Sequence, residues 1–178
     1  MIELKRITTS HTELYQYVEE LLTTSFPLEE YRPLKQWQKF TDSNELFQNN
    51  VILDGSKPVG LMTYWDFGEF YYIEHFAIDT ELRNRGYGQR VLDLLNDEIQ
   101  KPLVLEVEIP DNETARRRVS FYERYNFTSW DEEYTQPPYR PNGKAIPMIL
   151  MSRGDLSCKK DFKKVRNLLY KEVYSMES

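Results

Sequence analysis

The sequence predicts an α/β domain: a central mixed sheet of about six to seven strands, helices on its flanks, and an extra helix at the C-terminal end. Three observations carry that expectation. Apolar residues recur at helical spacing in some segments and in short strand-like runs in others, in the order β, α, α, β, β, β, α, β, α, β, β, α. A glycine loop, Arg83-Asn84-Arg85-Gly86-Tyr87-Gly88, lies between a strand-like run and a helix-like run. The 178 residues are 40% hydrophobic and 29% charged, which suits one folded domain with a genuine core rather than a disordered chain.

Along the chain, Ile2 to Ile7 reads as a first strand. Ser10-His11-Thr12-Glu13 has the pattern of a capping box, and Leu14, Tyr17, Val18, Leu21 and Leu22 then follow a helical period. Pro27 and Pro33 interrupt, and Leu34, Trp37 and Phe40 suggest a second, shorter helix. Val51–Leu53 and Val59–Trp65 form two strands around the turn Asp54-Gly55-Ser56-Lys57-Pro58. A strand over Tyr71–Ile78 leads into the glycine loop, and a helix runs on to about Gln100, where Pro102 ends it. Leu103–Glu108 is a fifth strand, Thr114 to Tyr125 a helix, and Phe127–Tyr134 and Ala145–Ser152 two more strands around a proline-rich connection. Phe162, Val165, Leu169 and Val173 give the last helix one apolar stripe for docking, with its lysines turned outward.

Composition narrows the function. A net charge of −6 argues against nucleic-acid binding as the main task. The run from Arg153 onward, with seven Lys/Arg against four Asp/Glu, reads as a solvated helix face. No apolar run approaches the roughly 18 residues of a membrane span. A single cysteine, Cys158, fits a reducing, cytoplasmic setting, and two histidines with one cysteine show no metal-ligand spacing, so no metal is expected.

The glycine loop carries the strongest chemical signal. Glycines two apart let the backbone turn tightly and approach a ligand. A helix opening there aims unpaired N–H groups and a positive dipole end at the loop, and the arginines add charge. A phosphate-bearing guest is expected. The loop lacks the Gly-Lys-Ser/Thr ending of a nucleotide P-loop and the third glycine of a dinucleotide fingerprint.

With these residues in view, the chain closely resembles the GCN5-related N-acetyltransferase (GNAT) family. Arg83 to Gly88 match every fixed position of the family's acetyl-CoA motif, Arg/Gln-x-x-Gly-x-Gly/Ala. Phe76-Ala77-Ile78-Asp79 resembles the family's strand ending before the loop, and Phe121-Tyr122 followed by Phe127 resembles a second marker. The element order agrees over residues 2–152, within a single N-acetyltransferase domain at 1–178, and leaves 153–178 as a helical extension.

The resemblance implies the GNAT (acyl-CoA N-acyltransferase) fold and acetyl-CoA as co-substrate. Backbone N–H groups from Arg85 to Gly88 and the helix start would hold the pyrophosphate, within a cofactor-binding stretch of Arg83, Asn84, Arg85, Gly86, Tyr87, Gly88 and Gln89. Those of Phe76, Ala77 and Ile78 would pair with the pantetheine arm as an added strand does. The family often places an asparagine and a small residue before the tyrosine; here Ala115 and Arg118 stand there, with Asn112 three residues earlier, so Asn112 and Arg118 become the expected cofactor contacts on that helix.

Acyl transfer to an amine needs a free amine, a stabilised oxyanion and a proton for the thiolate. By period two, Tyr72, Glu74, Phe76 and Ile78 share one face of the strand. Glu74 is then the first candidate base and His75 faces the other way as a buried, hydrogen-bonded histidine. Glu106, in a Leu-Glu-Val setting that the family also uses, is the second candidate base. Tyr122 is the expected general acid. The acceptor would lie against Phe26–Trp37 and Tyr134–Pro147, where Glu29, Glu30, Asp131, Glu132 and Glu133 suit a cationic amine, small or peptidic. A homodimer is compatible with the sequence; nucleic acid and membrane partners are not expected. The competing reading on the same fold is a non-catalytic acyl-CoA-binding sensor or partner-binding module.

Overall fold

The computed structural model describes residues 1–176; Glu177 and Ser178, the end of the expected extension, lie outside the described residues. The chain forms two compact units, Met1–Lys101 and Pro102–Ser178.

The first unit contains β1 (Ile2–Arg6), α1 (Thr12–Ser25), α2 (Leu34–Ser43), β2 (Phe47–Asp54), β3 (Lys57–Asp66), β4 (Tyr71–Ile78) and α3 (Tyr87–Glu98). Strands β1 to β4 pair in sequence order, each antiparallel to the next. In β2 and β3, consecutive residues such as Val51, Ile52 and Leu53, or Leu61 and Met62, are all buried, so both faces of these strands are covered. Helix α1 packs on β2, β3 and β4 through Val18, Leu21 and Leu22, while α3 reaches β1 and β4 through its buried Val91, Leu92 and Leu95.

The expected capping box does not form. Ser10 Oγ pairs with the Thr8 hydroxyl at 2.6 Å, and α1 starts one residue later behind His11. The His11 ring takes over the local turn, accepting the Thr8 N–H at Nδ1 (3.0 Å). Long-range contacts compete here as well: Thr9 sends its N–H and its hydroxyl to the Asp42 carboxylate of α2, at 2.8 and 2.5 Å.

The β3–β4 ladder contains a bulge that sequence periodicity misses. Thr63 pairs with His75 and Tyr64 pairs with Ile73, so Glu74 is an extra residue in β4. Period two breaks at this point. Tyr72, opposite Trp65, shares a face with His75 and Ala77, opposite Thr63 and Leu61; Phe76 and Ile78 face the other way with Tyr71 and Ile73. The expected common face of Tyr72, Glu74, Phe76 and Ile78 therefore does not exist.

The second unit contains β5 (Leu103–Glu108), α4 (Glu113–Glu123), β6 (Thr128–Ser129), β7 (Tyr134–Gln136), β8 (Ile146–Arg153) and α5 (Cys158–Leu168), the last running into a π-helical turn over Leu169–Val173. Strand β8 pairs antiparallel with β5, β6 and β7. The expected single strand over Phe127–Tyr134 is split because Asp131, Glu132 and Glu133 are three consecutive exposed acids that cannot alternate in and out of a core. The predicted stripe of the tail helix is fully used: Phe162, Val165, Leu169 and Val173 are all buried.

Gly60 gives the first unit a direct test. A Cβ placed there would stand 2.5 Å from the Ala77 carbonyl oxygen, so β3 can lie this close to the end of β4 only without a side chain. Gly60→Ala is expected to cost about 1–3 kcal/mol of stability in urea unfolding; an unchanged midpoint would contradict this packing.

Candidate active site

The glycine loop follows β4 directly. Asp79 N–H returns to the Val59 carbonyl at 2.9 Å, and the Asp79 carboxylate caps the short 3-10 turn over Thr80–Leu82 by accepting the Glu81 N–H at 3.0 Å. Tyr17 of α1 donates its hydroxyl to the other Asp79 oxygen at 3.3 Å, which ties the turn to the helix. The chain then enters the left-handed region twice, at Asn84 (φ 61°) and Gly86 (φ 77°). Gly86 is the residue before α3, and its carbonyl accepts the Arg90 N–H at 3.0 Å. A Cβ at Gly86 would meet nothing within 4 Å, so glycine is required here by φ and not by crowding.

The first turn of α3 contains no acidic residue. Its unpaired N–H groups and positive dipole end are thus not internally neutralised, which is the arrangement an anion needs. Arg83, Asn84, Arg85, Gly86 and Gln89 are exposed, and Tyr87 and Gly88 partly so. Arg83 also sends Nε to the Ile78 carbonyl at 3.4 Å. Arg90 points elsewhere, gripping Asp54 with two bonds of 3.1 Å. That grip, chiefly its hydrogen bonds, lowers the Asp54 carboxyl to about 2.

Glu74 is occupied. Its side chain has no solvent exposure and forms an ion pair with Arg32, whose side chain is 1% exposed, while Trp65 Nε1 donates to the second carboxylate oxygen at 2.8 Å. The Arg32 guanidinium lies over the rings of Phe40, Trp65 and Phe47, at 4.7, 5.4 and 5.7 Å from their centroids. The bulge therefore turns Glu74 into an aromatic-walled pocket of the first unit. Both carboxylate oxygens are engaged there, one by the Arg32 guanidinium and the other by the Trp65 indole N–H. Arg32 itself was missed in the sequence; its only signal was a lone basic residue between Tyr31 and Pro33 in an otherwise acidic segment.

His75 joins the same cluster instead of facing away from Glu74. Its ring meets Phe26 at 4.8 Å and Trp37 at 5.7 Å. Nε2 sits 2.8 Å from the Glu30 carbonyl, which can only accept, so the ring proton is on Nε2. Nδ1 then accepts from the Thr63 hydroxyl at 3.3 Å. Burial pushes the imidazole below its ordinary value, and the Glu74 charge opposes this. The buried, hydrogen-bonded histidine expected from the sequence is present.

In the second unit, Asn112 is the N-cap of α4: its Oδ1 accepts the Ala115 N–H at 2.9 Å. Arg118 stands 3.8 Å from Glu108 and is half-exposed. Tyr122 is buried between Phe121 and Phe127, with ring centroids 5.4 and 5.5 Å away. Burial pushes its phenol up to about 12, with Arg118 opposing, so it keeps its proton throughout the neutral range. Glu106 of β5 is half-buried and accepts hydrogen bonds from two phenols, Tyr134 of β7 and Tyr174 beyond the π turn. Among the described residues, no group of His, Cys, Asp and Glu is arranged to hold a metal ion, and no helix is long and apolar enough to cross a membrane.

Residues 11–127 match the model of the acetyltransferase (GNAT) family. The chain belongs to this family. A putative GNAT-family acetyltransferase from Bacteroides thetaiotaomicron is 47% identical, with 98% of this chain and 99% of that one covered and a TM-score of 0.96. Two more distant structures share the fold. A spermidine N-acetyltransferase from Vibrio cholerae in complex with CoA and spermine is 14% identical, with coverage of 85% and 94% and a TM-score of 0.58. The ribosomal-protein-S18-alanine N-acetyltransferase from Escherichia coli is 18% identical, with coverage of 86% and 93% and a TM-score of 0.56. No protein of curated function matches the chain. Membership of this family supports acyl-CoA-dependent acetyl transfer as the general chemistry.

Two outcomes test the buried cluster. Glu74→Gln leaves the Arg32 charge buried without its counter-ion and is expected to cost about 3–5 kcal/mol in urea unfolding. Because folding lowers the His75 value, the unfolded ring takes up its proton first as pH falls below about 6.5. Stability should therefore drop between pH 7 and pH 5, and His75→Gln should flatten that drop. An equal drop in both proteins would exclude His75 as its source.

Proposed function

We propose that this chain is an acetyl-CoA-dependent N-acetyltransferase acting on a cationic amine, small or peptidic, by direct attack on the thioester. The observation that carries this reading is the acid-free first turn of α3 behind the left-handed Gly86, in a chain that belongs to the GNAT family. Backbone N–H groups from Arg85 to Gly88 receive the pyrophosphate, and Arg83 and Gln89 flank it. The backbone of Phe76, Ala77 and Ile78 pairs with the pantetheine arm, and one N–H there polarises the thioester carbonyl.

Glu106 serves as the base in this reading. It takes a proton from the acceptor ammonium, which titrates near 10 and must lose that proton to attack. The amine nitrogen then bonds the thioester carbon, the carbon–sulfur bond breaks as the intermediate collapses, and the nitrogen gives up its second proton through water, which restores the one Tyr122 supplies. Tyr122 donates its proton to the departing thiolate, a role supported by a phenol that burial keeps protonated. Glu106 is preferred to Glu74 because proton uptake by Glu74 would leave the buried Arg32 charge facing a neutral acid. The acidic residues Glu29, Glu30 and Asp131 to Glu133 support a cationic acceptor. The single Cys158 supports a cytoplasmic setting.

Thiol release from acetyl-CoA, measured across amines, polyamines, amino acids and short peptides, tests the reading. Turnover is expected with at least one cationic amine, and Glu106→Gln and Tyr122→Phe should each lower kcat by about 10²-fold or more. Acetyl-CoA binding with no turnover on any amine would favour a non-catalytic acyl-CoA sensor instead.

A further inference from the structure

The C-terminal segment lies beyond the matched family region, which ends at residue 127, yet it reaches the carboxylate that the proposed function uses. The Tyr174 hydroxyl is 2.9 Å from both Glu106 oxygens, and the Tyr134 hydroxyl donates to Oε1. Tyr174 is 7% exposed, and its ring packs on Tyr139 with centroids 5.0 Å apart.

The backbone shows how Tyr174 gets there. Its N–H bonds to the Leu169 carbonyl at 3.1 Å, five residues back, closing the π turn. Val173 and Tyr174 are both buried there, at 1% and 7% exposure. Such single π turns recur at functional sites. The neighbouring turn is pinned by Tyr170, which donates its hydroxyl to the Thr135 carbonyl at 2.7 Å and packs on Tyr134 at 5.8 Å.

We propose that Tyr134 and Tyr174 are positioning residues for Glu106, and that the C-terminal extension thereby takes part in proton transfer. This rests on the reading of Glu106 as the base. Two O–H donors orient the carboxylate and favour its anion, so that it meets the acceptor ammonium ready to take a proton; the proton moves to the carboxylate and the nitrogen keeps its electron pair. The Tyr134 phenol stays protonated while doing so. Burial, then the Glu106 charge, pushes Tyr134 far above the usual phenol value. Tyr134, with Tyr174 and Tyr170 from the extension, faces Glu106, and Tyr139 packs on Tyr174; Arg166 lies 6.0 Å from the Tyr170 ring, and Glu108, two residues along β5, pairs with Arg118.

The test is a carbon-13 NMR titration of the Glu106 carboxyl, assigned with Glu106→Gln, in the full chain and in Tyr174→Phe, Tyr134→Phe and Tyr170→Phe. Loss of a donor to the anion should move the Glu106 titration up by about one pH unit in the first two variants. Tyr170→Phe, which alters the same extension but removes no hydrogen bond to Glu106, should move it much less. With an amine that turns over, the acidic limb of kcat/KM should move with the titration, and KM for acetyl-CoA should hold. A Glu106 titration unmoved in both Tyr174→Phe and Tyr134→Phe overturns the proposal, as does a limb that stays put while the titration moves. Full activity of Glu106→Gln would instead overturn Glu106 as the base; an inactive Glu106→Gln with an unmoved Tyr174→Phe profile overturns only the positioning role. Should Tyr174→Phe not fold, Tyr134→Phe decides the question by the same shift, since it removes the other phenol donor.

Discussion

The first unit depends on one extra residue in β4. Because Glu74 has no partner of its own in the β3 ladder, the strand changes face between Ile73 and His75, and the Glu74 carboxylate turns into the aromatic cluster. There it meets Arg32, and the pair is dry. A buried ion pair is weak evidence of net stability, since desolvation offsets much of the attraction, but breaking it is expensive. Its structural effect is specific. It fastens the segment between α1 and α2 onto β4, at a point where the His75 ring fastens the same segment through the Glu30 carbonyl. The strand that leads into the glycine loop is thus fixed by two side-chain contacts in addition to its ladder.

This arrangement separates two carboxylates that look alike in the sequence. Glu74 and Glu106 both sit in apolar strands, and either could be read as a base. Glu74 faces a buried cation and an indole N–H; Glu106 is half-buried and accepts from phenols. Charge chemistry assigns different work to each: the first keeps a guanidinium compatible with an apolar interior, and the second can change protonation without stranding Arg32.

What could be read from the sequence follows from how local each signal is. The glycine loop, the strand before it and the helix after it are set by short-range backbone preferences, so these three elements were legible. The buried stripe Phe162, Val165, Leu169 and Val173 was legible too, because helical periodicity records burial directly. The bulge was not. One inserted residue leaves no compositional trace, yet it reverses the facing of every residue on one side of it, which is why Glu74 and His75 were expected on opposite faces. The Ser10–Glu13 cap failed for a related reason: Ser10 Oγ pairs with the Thr8 hydroxyl, and Asp42, distant in sequence, takes the N–H of the preceding Thr9. The contact between Tyr174 and Glu106 spans 68 residues and depends on a π turn, and no local pattern announces either.

In the proposed reaction β4 and the glycine loop form the donor site, and backbone groups hold the coenzyme more than side chains do. Hydrogen exchange, followed residue by residue with and without acetyl-CoA, reads those groups directly. Exchange should slow at the amides of residues 85–88 and at the end of β4, residues 76–78, with free coenzyme A protecting the loop amides as well. Unchanged exchange at residues 85–88 under saturating acetyl-CoA would contradict a donor site built on this loop.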